Sequence, residues 1–112
     1  MKLQPFDLVV VPFPYADRLA EKRRPAVVVS TAAMSERHKL VWLAMVTSAD
    51  NPRWDCDVDI ADLKTAGLPA PSRVRPVKLA TADVARVLRR IGRLGPGDVA
   101  GLRKQLAVLL PF

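Results

Sequence analysis

Apolar residues in this chain occur in short runs bounded by prolines or polar residues, and this pattern limits the fold more than any other feature. Residues 8–11 form a β-branched run that ends at Pro12, and residues 26–30 form a second run that follows Pro25. Runs of this length and composition are typical of β-strands, because branched side chains pack well on a pleated surface. Further strands are predicted at residues 40–48, 55–60, 73–79 and 87–93. The last of these fits a strand or a helix, with a strand favoured, and Pro76 indicates an edge position or a bulge.

A helix is predicted near the C-terminus. Pro96 suits the first helical position, and Asp98 places a negative charge near the positive end of the helix dipole. Apolar residues then recur at three- and four-residue spacing and form one stripe, at Val99, Leu102, Leu106 and Leu109. Residues 62–67 add one predicted helical turn that ends at a glycine. With six strands, the pattern predicts one mainly β domain over residues 1–112, a curled antiparallel sheet or small barrel with the helix packed on it.

The charge balance points to an anionic partner. Eighteen Lys and Arg residues oppose eleven Asp and Glu residues, which gives a net charge of +7. Such an excess attracts nucleic acid or acidic protein segments, although it is also common in soluble proteins in which Arg replaces Lys. The single cysteine, Cys56, allows no internal disulfide. Since no apolar run suits a signal peptide or a membrane span, we expect a cytoplasmic protein that does not bind membranes.

The residue types that metals and nucleotide cofactors require are scarce, so we expect neither a metal nor a cofactor. His38 is the only histidine, and no His or Cys lies at ligand spacing from Cys56. Asp55, Asp57 and Asp59 share one face of a predicted strand, which favours a solvated face over a cation site. No glycine-rich phosphate loop is present. A Ser–His–Asp hydrolase would depend on His38, which we place in an exposed polar loop.

Two predicted strand ends carry side chains suited to phosphate chemistry. Arg24 precedes Pro25, which restricts Arg24 to an extended conformation, so its guanidinium leaves the backbone at a defined position. Thr47 and Ser48 end another predicted strand and provide two hydroxyls. Taken alone, such residues are more often surface charges and turn residues. Their assignment to a site therefore depends on the pattern of the whole chain.

Six segments resemble the MazF/PemK-type toxins, the ribosome-independent mRNA interferases of bacterial toxin–antitoxin systems. They keep a common order and spacing over nearly the whole chain: DLVVVPFP at residues 7–14, KRRPAVVVS at 22–30, VTS at 46–48, GLPAPSRVR at 67–75, KLAT at 78–81 and RIGRL at 90–94. The resemblance implies an SH3-like antiparallel β-barrel with a C-terminal α-helix, usually a homodimer. It also implies single-stranded RNA as the substrate and a cognate antitoxin as the inhibitor.

The resemblance also implies which residues form the active site. By position, the family's active-site Arg and Thr correspond to Arg24 and Thr47, with Ser48 adjacent, and a second Arg used by some members corresponds to Arg75. One departure is Phe6, where a glycine normally precedes the first Asp of the pattern. A second is that PemK-like members carry an Asp two residues after the second Arg, and here that residue is Val77.

RNA cleavage without a metal requires removal of the ribose 2′-OH proton, stabilisation of charge at phosphorus and a proton for the leaving 5′-oxygen. We assign charge stabilisation to Arg24 and Arg75, because a guanidinium matches phosphoryl oxygens and stays charged. Thr47 is assigned a hydrogen bond to the phosphate. Asp17 and Glu21 are candidates for the base, which the sequence does not identify.

The remaining site predictions concern RNA binding. Tyr15 and Trp54 are expected to stack on unpaired bases, with packing on the barrel equally compatible for Trp54. Four cations are expected to hold the phosphate backbone, and these are Lys22, Arg23, Arg73 and Lys78. The apolar residues 106–112 exceed what one helix face needs, which favours a homodimer.

Two other classes of function remain open at this point. One is a basic barrel that binds RNA or DNA without cleaving it, which the departure at Val77 favours. The other is a poison of DNA gyrase like the CcdB-type toxins, which share this architecture. The Arg–Pro motif at Arg24 and the residues 46–48 favour the ribonuclease.

Overall fold

The computed structural model describes residues 2–13 and 22–111 and shows a six-stranded antiparallel sheet that curls into an open barrel. The strands are β1 (Asp7–Phe13), β2 (Lys22–Val28), β3 (Leu40–Ser48), β4 (Val58–Asp59), β5 (Ser72–Asp83) and β6 (Arg89–Arg93). They follow the order β4-β5-β3-β2-β1-β6, and every neighbouring pair is antiparallel. The helices are α1 (Ala32–His38), α2 (Leu63–Ala66) and α3 (Pro96–Leu109). The predicted fold class, a small antiparallel β-barrel with a C-terminal helix, is confirmed.

The central strands β1, β2 and β3 bury side chains on both faces, which explains why their sequences are continuous apolar runs. Alternate residues enter two separate apolar clusters. One cluster lies against α2 and α3 and includes Leu8, Val27, Ala44, Val46, Ala66 and Leu102. The other lies on the opposite face and includes Val9, Val28, Leu43, Met45 and Val87. A sheet covered on both sides has no polar alternation for the sequence to reveal.

Helix α3 is fixed to the loop before α2 by a buried carboxylate. Asp98 accepts hydrogen bonds from the backbone amides of Ala61 and Asp62, each 3.0 Å long. The acidic residue at the helix start therefore binds a neighbouring segment as well as facing the helix dipole. Leu102 is fully buried on the predicted apolar stripe, whereas Leu109 at its far end is exposed.

Of the two alternatives predicted for Pro76, an edge position or a bulge, the bulge is confirmed. The register between β3 and β5 pairs Ala44 with Leu79 but Met45 with Arg75, so residues 76–78 have no partners on β3. A bulge accommodates the missing amide hydrogen of proline and re-aims nearby side chains. Strand β5 continues past the predicted end at residue 79 as far as Asp83.

Two local predictions about polar segments are wrong. The second strand was expected to begin after Pro25, but β2 begins at Lys22 because its pairing with β1 extends that far. Helix α1 was not predicted, and His38 is its last residue rather than part of a loop. This helix is short and mostly polar, and Thr31 caps it by accepting a hydrogen bond from the amide of Met34.

The predicted strand over residues 55–60 is confirmed only for Val58 and Asp59, the residues that pair with β5. Cys56 has a φ of 70°, a left-handed conformation found in turns. Asp57 is buried and Asp59 is exposed, so the three aspartates do not share one solvated face. Among the described residues, no helix is long and apolar enough to cross a membrane.

Because β6 packs closely against α2, we predict that any side chain at position 92 lowers the stability of the fold. A Cβ at Gly92 would lie 2.5 Å from the carbonyl oxygen of Thr65 and 2.5 Å from the carbonyl carbon of Ala66, both backbone atoms. Gly92→Ala should therefore lower the free energy of unfolding in urea by about 1–3 kcal/mol. Gly97→Ala is the control, because nothing lies within 4 Å of its Cβ position. A loss of stability as large in the control would contradict this account.

Candidate active site

Arg24 and Thr47 lie near each other on the neighbouring strands β2 and β3. The pairing of β2 with β3 ends at Ala26 and Met45, and Arg24 and Thr47 each lie two residues beyond that pair. Both side chains line the same two clefts. The structure therefore brings together the two residues that the sequence pattern assigns to the active site.

The larger of these clefts, here called the main cleft, has a volume of about 490 Å³. Its polar lining consists of Arg23, Arg24, Thr47, Ser48, Ser72 and Arg89. Its apolar wall is formed by the loop from Leu68 to Pro71 together with Ile91. Cations and hydroxyls beside an apolar wall suit a ligand that alternates phosphates with planar bases.

The smaller cleft, here called the side cleft, adjoins Arg24 and Thr47 and has a volume of about 50 Å³. Its lining consists of Phe13, Arg24, Met45, Val46, Thr47, Arg75 and Lys78. Arg75 reaches the same region as Arg24 and Thr47 because its strand, β5, pairs with β3 on the other side from β2. Three of the four predicted catalytic residues therefore line this cleft.

Arg75 is held by a buried, two-point ion pair. Its Nε and Nη2 donate to the two carboxylate oxygens of Asp57 at 3.1 and 2.9 Å, and Nη2 also donates to the carbonyl of Pro52 at 2.9 Å. The side chain of Arg75 is 7% exposed and that of Asp57 is 0% exposed. The guanidinium also lies 3.9 Å from the centre of the Trp54 ring. Arg75 therefore has a fixed position, and much of its hydrogen bonding is directed to the protein.

The charge on Asp57 is maintained by these contacts. Burial acts to raise the pKa of Asp57, but the hydrogen bond from Arg75, the amide of Trp54 and the charges of Arg75 and Arg53 outweigh it and hold the pKa below its ordinary value. The amide of Trp54 donates to this carboxylate at 2.9 Å. The ion pair thus fixes the position of the Trp54 backbone.

Arg73, predicted to bind phosphate, is engaged mainly with the loop between β3 and β4. Its Nε donates to Asp59 at 2.8 Å, and its Nη1 donates to the carbonyls of Ala49 and Asn51. The hydrogen bond from Arg73, assisted by Arg53, keeps the pKa of Asp59 below its ordinary value despite a small opposing effect of desolvation. These contacts are structural, so the contribution of Arg73 to RNA binding stays a prediction.

The two hydroxyls at the end of β3 have different surroundings. The Oγ1 of Thr47 accepts a hydrogen bond from the Nδ2 of Asn51 at 2.7 Å. The Oγ of Ser48 accepts from the amide of Asp50 at 3.1 Å, which is turn chemistry. Thr47 lines both clefts, whereas Ser48 lines only the main cleft.

The other predicted RNA-binding residues are distributed around these clefts. Trp54 is partly exposed, and Lys78 lies 5.2 Å from the centre of its ring. Arg23 lines the main cleft, and Lys22 lies beside Arg23 in a separate shallow depression. Tyr15 and the candidate bases Asp17 and Glu21 lie outside the described residues.

Three residues of this region were not predicted from the sequence. Arg89 lines the main cleft from β6, and Asp57 and Asn51 hold Arg75 and Thr47. Arg89 directly precedes the family-like segment at residues 90–94, which is a signal of its position. The partner of Asp57 could be found only from the position of β5 against the loop after β3, whereas Asn51 lies four residues after Thr47, so their contact is local to the end of β3. In residues 2–13 and 22–111, no three His, Cys, Asp or Glu side chains are grouped to hold a metal ion.

The curled antiparallel sheet, its C-terminal helix and the cationic clefts define a class of small β-barrel proteins with an anion-attracting surface. The family model of PemK-like, MazF-like toxins of type II toxin–antitoxin systems matches residues 4–110. The chain therefore belongs to this toxin family. No curated protein matches the sequence significantly.

Solved structures of toxins share this fold. MazF from Deinococcus radiodurans superposes with a TM-score of 0.79 at 24% identity, covering 100% of this chain and 99% of the other. An endoribonuclease from a mycobacterial species, solved with its cognate antitoxin, gives 0.74 at 15% identity, with coverage of 99% and 97%. The Mycobacterium tuberculosis toxin MazF-mt6 gives 0.70 at 20% identity, with coverage of 93% and 99%. At these identities the likeness establishes the fold alone.

The ion pair of Asp57 predicts a pH-dependent contribution to stability. Asp57→Asn leaves Arg75 buried without its anion and should lower the free energy of unfolding by about 3–5 kcal/mol at pH 7. Because the folded-state pKa of Asp57 lies below its unfolded value of about 3.9, this contribution is present above that pH and is lost as the pH falls through the folded value. Urea unfolding at several pH values should therefore show the difference between variant and wild type shrinking below about pH 4.

Asp55→Asn is the matched control, since Asp55 is an exposed aspartate two residues away. It should change stability by less than about 0.5 kcal/mol. A difference between Asp57→Asn and the wild type that stays constant down to pH 3 would contradict the assignment.

Proposed function

We propose that this chain is a metal-independent endoribonuclease toxin that cleaves single-stranded mRNA and is neutralised by a cognate antitoxin. The observation that carries the proposal is the meeting of Arg24 and Thr47 at the junction of the main and side clefts. Membership of the MazF-like toxin family supports it. The net charge of +7 supports a polyanionic substrate.

In the proposed reaction, the ribose 2′-oxygen forms a bond to phosphorus and the bond from phosphorus to the 5′-oxygen breaks. The 2′-hydroxyl loses its proton, and the leaving 5′-oxygen gains one. The products are a 2′,3′-cyclic phosphate and a 5′-hydroxyl. Arg24 stabilises negative charge on the phosphoryl oxygens, Thr47 donates a hydrogen bond to them, and Arg75 contributes charge from the side cleft. Ser48 lies beside this centre on the wall of the main cleft.

The RNA strand is proposed to run along the main cleft and past the side cleft. Arg23 and Arg89 line the main cleft and are suited to contact phosphates there. Trp54 offers a partly exposed ring for base stacking beyond the side cleft. The predicted contributions of four further residues to RNA binding complete the proposal, and these are Tyr15, Lys22, Arg73 and Lys78.

The antitoxin partner is proposed from relatives and from charge. One similar structure is the MazE–MazF complex of D. radiodurans, and another is the mycobacterial endoribonuclease with its cognate antitoxin. An acidic segment that entered the main cleft would meet Arg23, Arg24 and Arg89 and would compete with RNA for the same cations.

A homodimer is proposed from an exposed apolar surface. An open cleft of about 480 Å³ is lined by Val29, Trp42, Leu79, Ala80, Thr81, Leu106 and Leu110. Trp42 is 52% exposed and Leu79 is 49% exposed. Such a concentration of apolar surface is typical of a contact with another chain. We propose that a second copy covers it.

The ribonuclease proposal predicts cleavage of a mixed-sequence single-stranded RNA in the presence of EDTA. Wild-type protein should yield fragments that end in a cyclic phosphate, while Arg24→Ala and Thr47→Ala should lower the rate by about 10²-fold or more, as loss of a transition-state donor does. A substrate with a 2′-deoxy nucleotide at the cleavage position should stay intact at that position. Gel analysis with end-group identification measures each result.

Cleavage of the deoxy substrate at the wild-type rate would contradict attack by the 2′-hydroxyl. Cleavage that EDTA abolishes would contradict metal independence. Intact RNA that still binds the protein would establish a non-catalytic nucleic-acid-binding barrel instead, and a loss of gyrase supercoiling activity would establish the CcdB-type alternative.

The dimer proposal predicts a sedimenting mass of twice 12.3 kDa at micromolar concentration. Leu79→Lys places a charge in the apolar cleft and should produce monomers without unfolding the chain, because the side chain is half exposed. Leu88→Lys is the matched control, since Leu88 is 45% exposed but lies outside this cleft. A dimer that persists in Leu79→Lys would place the interface elsewhere, and a wild-type monomer would contradict the dimer.

A further inference from the structure

The hydroxyl of Thr47 has a fixed partner that leaves its own proton available. Asn51 Nδ2 donates to Thr47 Oγ1 at 2.7 Å. A threonine hydroxyl has one proton to donate and can accept through its lone pairs, so a bond that it accepts does not use that proton. Phosphoryl oxygens only accept hydrogen bonds. A Thr47 that serves a phosphate must therefore donate to it, and the bond from Asn51 is compatible with that direction.

Both the backbone amide and the backbone carbonyl of Asn51 are hydrogen-bonded. Its amide donates to the carbonyl of Ser48 at 3.1 Å, which closes the turn after β3. Its carbonyl accepts from Nη1 of Arg73 at 3.0 Å, and Arg73 is anchored on Asp59 at 2.8 Å. The side-chain amide of Asn51 therefore starts from a backbone that is fixed to the sheet on two sides.

We propose that Asn51 is a positioning residue that orients the hydroxyl of Thr47 as a hydrogen-bond donor to a phosphoryl oxygen of the bound RNA. Asn51 occupies one acceptor site of the hydroxyl, which restricts rotation about the Cβ–Oγ1 bond and directs the proton towards the clefts that Thr47 lines. Asp59 and Arg73 act one step further away by fixing the backbone of Asn51. This inference rests on the proposed ribonuclease function.

The direction of the Asn51 hydrogen bond decides what a carboxylate at that position would do. Asn51→Asp replaces the amide donor by a group that only accepts when ionised, so the hydroxyl of Thr47 would turn and donate to it. Protonation of the new carboxyl restores a donor at the same place. If Asn51 instead accepted from Thr47 in the wild type, the aspartate would preserve that arrangement and activity would be retained at neutral pH.

The test is single-turnover cleavage of single-stranded RNA by wild type, Asn51→Asp and Asn51→Ala between pH 4.5 and 8. At pH 7, Asn51→Asp should lose about tenfold or more in the rate of the chemical step. Relative to wild type, it should recover as the pH approaches the carboxyl pKa of about 4. Asn51→Ala should show a smaller loss, mainly in the saturating single-turnover rate rather than in the concentration that gives half of that rate, with the pH profile of the wild type. Recovery within one variant excludes misfolding as the cause.

A double-mutant cycle with Thr47→Ala separates positioning from simple charge repulsion. When Thr47 is already absent, neither Asn51→Asp at pH 7 nor Asn51→Ala should cause a further loss of residual rate, because Asn51 acts through the hydroxyl. Repulsion of the RNA by the new carboxylate would instead lower the rate with or without that hydroxyl. Full activity of Asn51→Asp at pH 7, or additive effects of the two alanine substitutions, would overturn the inference while leaving the ribonuclease function intact. Absence of cleavage by the wild type would overturn the proposed function and this inference together.

Discussion

The buried ion pair between Arg75 and Asp57 ties the long connection between β3 and β4 to the first half of β5. Each charge lies away from water, so the pair depends on its two-point geometry and on the extra hydrogen bonds that Pro52 and Trp54 provide. Without this pair the connection would have few apolar contacts to hold it against the sheet. The ion pair thus gives shape to a segment that the hydrophobic core does not reach.

Arg73 repeats the same arrangement one pleat along β5. It reaches Asp59 and the carbonyls of the turn after β3. Each of the two arginines therefore contacts both the beginning and the end of the connection. Their position follows from the register of β5 with β3, which pairs Thr47 with Arg73 and Met45 with Arg75. The bulge at residues 76–78 lets β5 carry this polar segment and still continue to Asp83 as part of the sheet.

The site combines a rigid part and an open part. Arg24 and Thr47 lie on paired strands, each two residues from a buried residue, Ala26 on β2 and Met45 on β3. The core therefore sets the distance and orientation between Arg24 and Thr47. The main cleft beside them is open and is lined by guanidinium groups and a proline-containing loop. In the function proposed here, the rigid part would act on one phosphate, and the open part would hold the rest of the strand.

The sequence was sufficient for the element types that depend on local chemistry. Leu40–Ser48 was predicted with its observed bounds, the bulge at Pro76 and the start of α3 near Pro96 followed from proline geometry, and the Arg24 and Thr47 pattern carried the family resemblance. The sequence was insufficient for α1 and for the segment around Cys56, because short polar segments take their shape from capping and long-range pairing.

By itself, the sequence determined that this is a small basic β-barrel with a C-terminal helix, because strand periodicity, proline positions and net charge are local or additive properties. Only the tertiary structure decided that Asp57 is buried against Arg75 and that Arg24, Thr47 and Arg75 line one cleft. It also decided that Arg73 serves the fold. The physical reason is that an ion pair or a hydrogen bond between separated residues depends on strand register, which is set only when the whole sheet has formed.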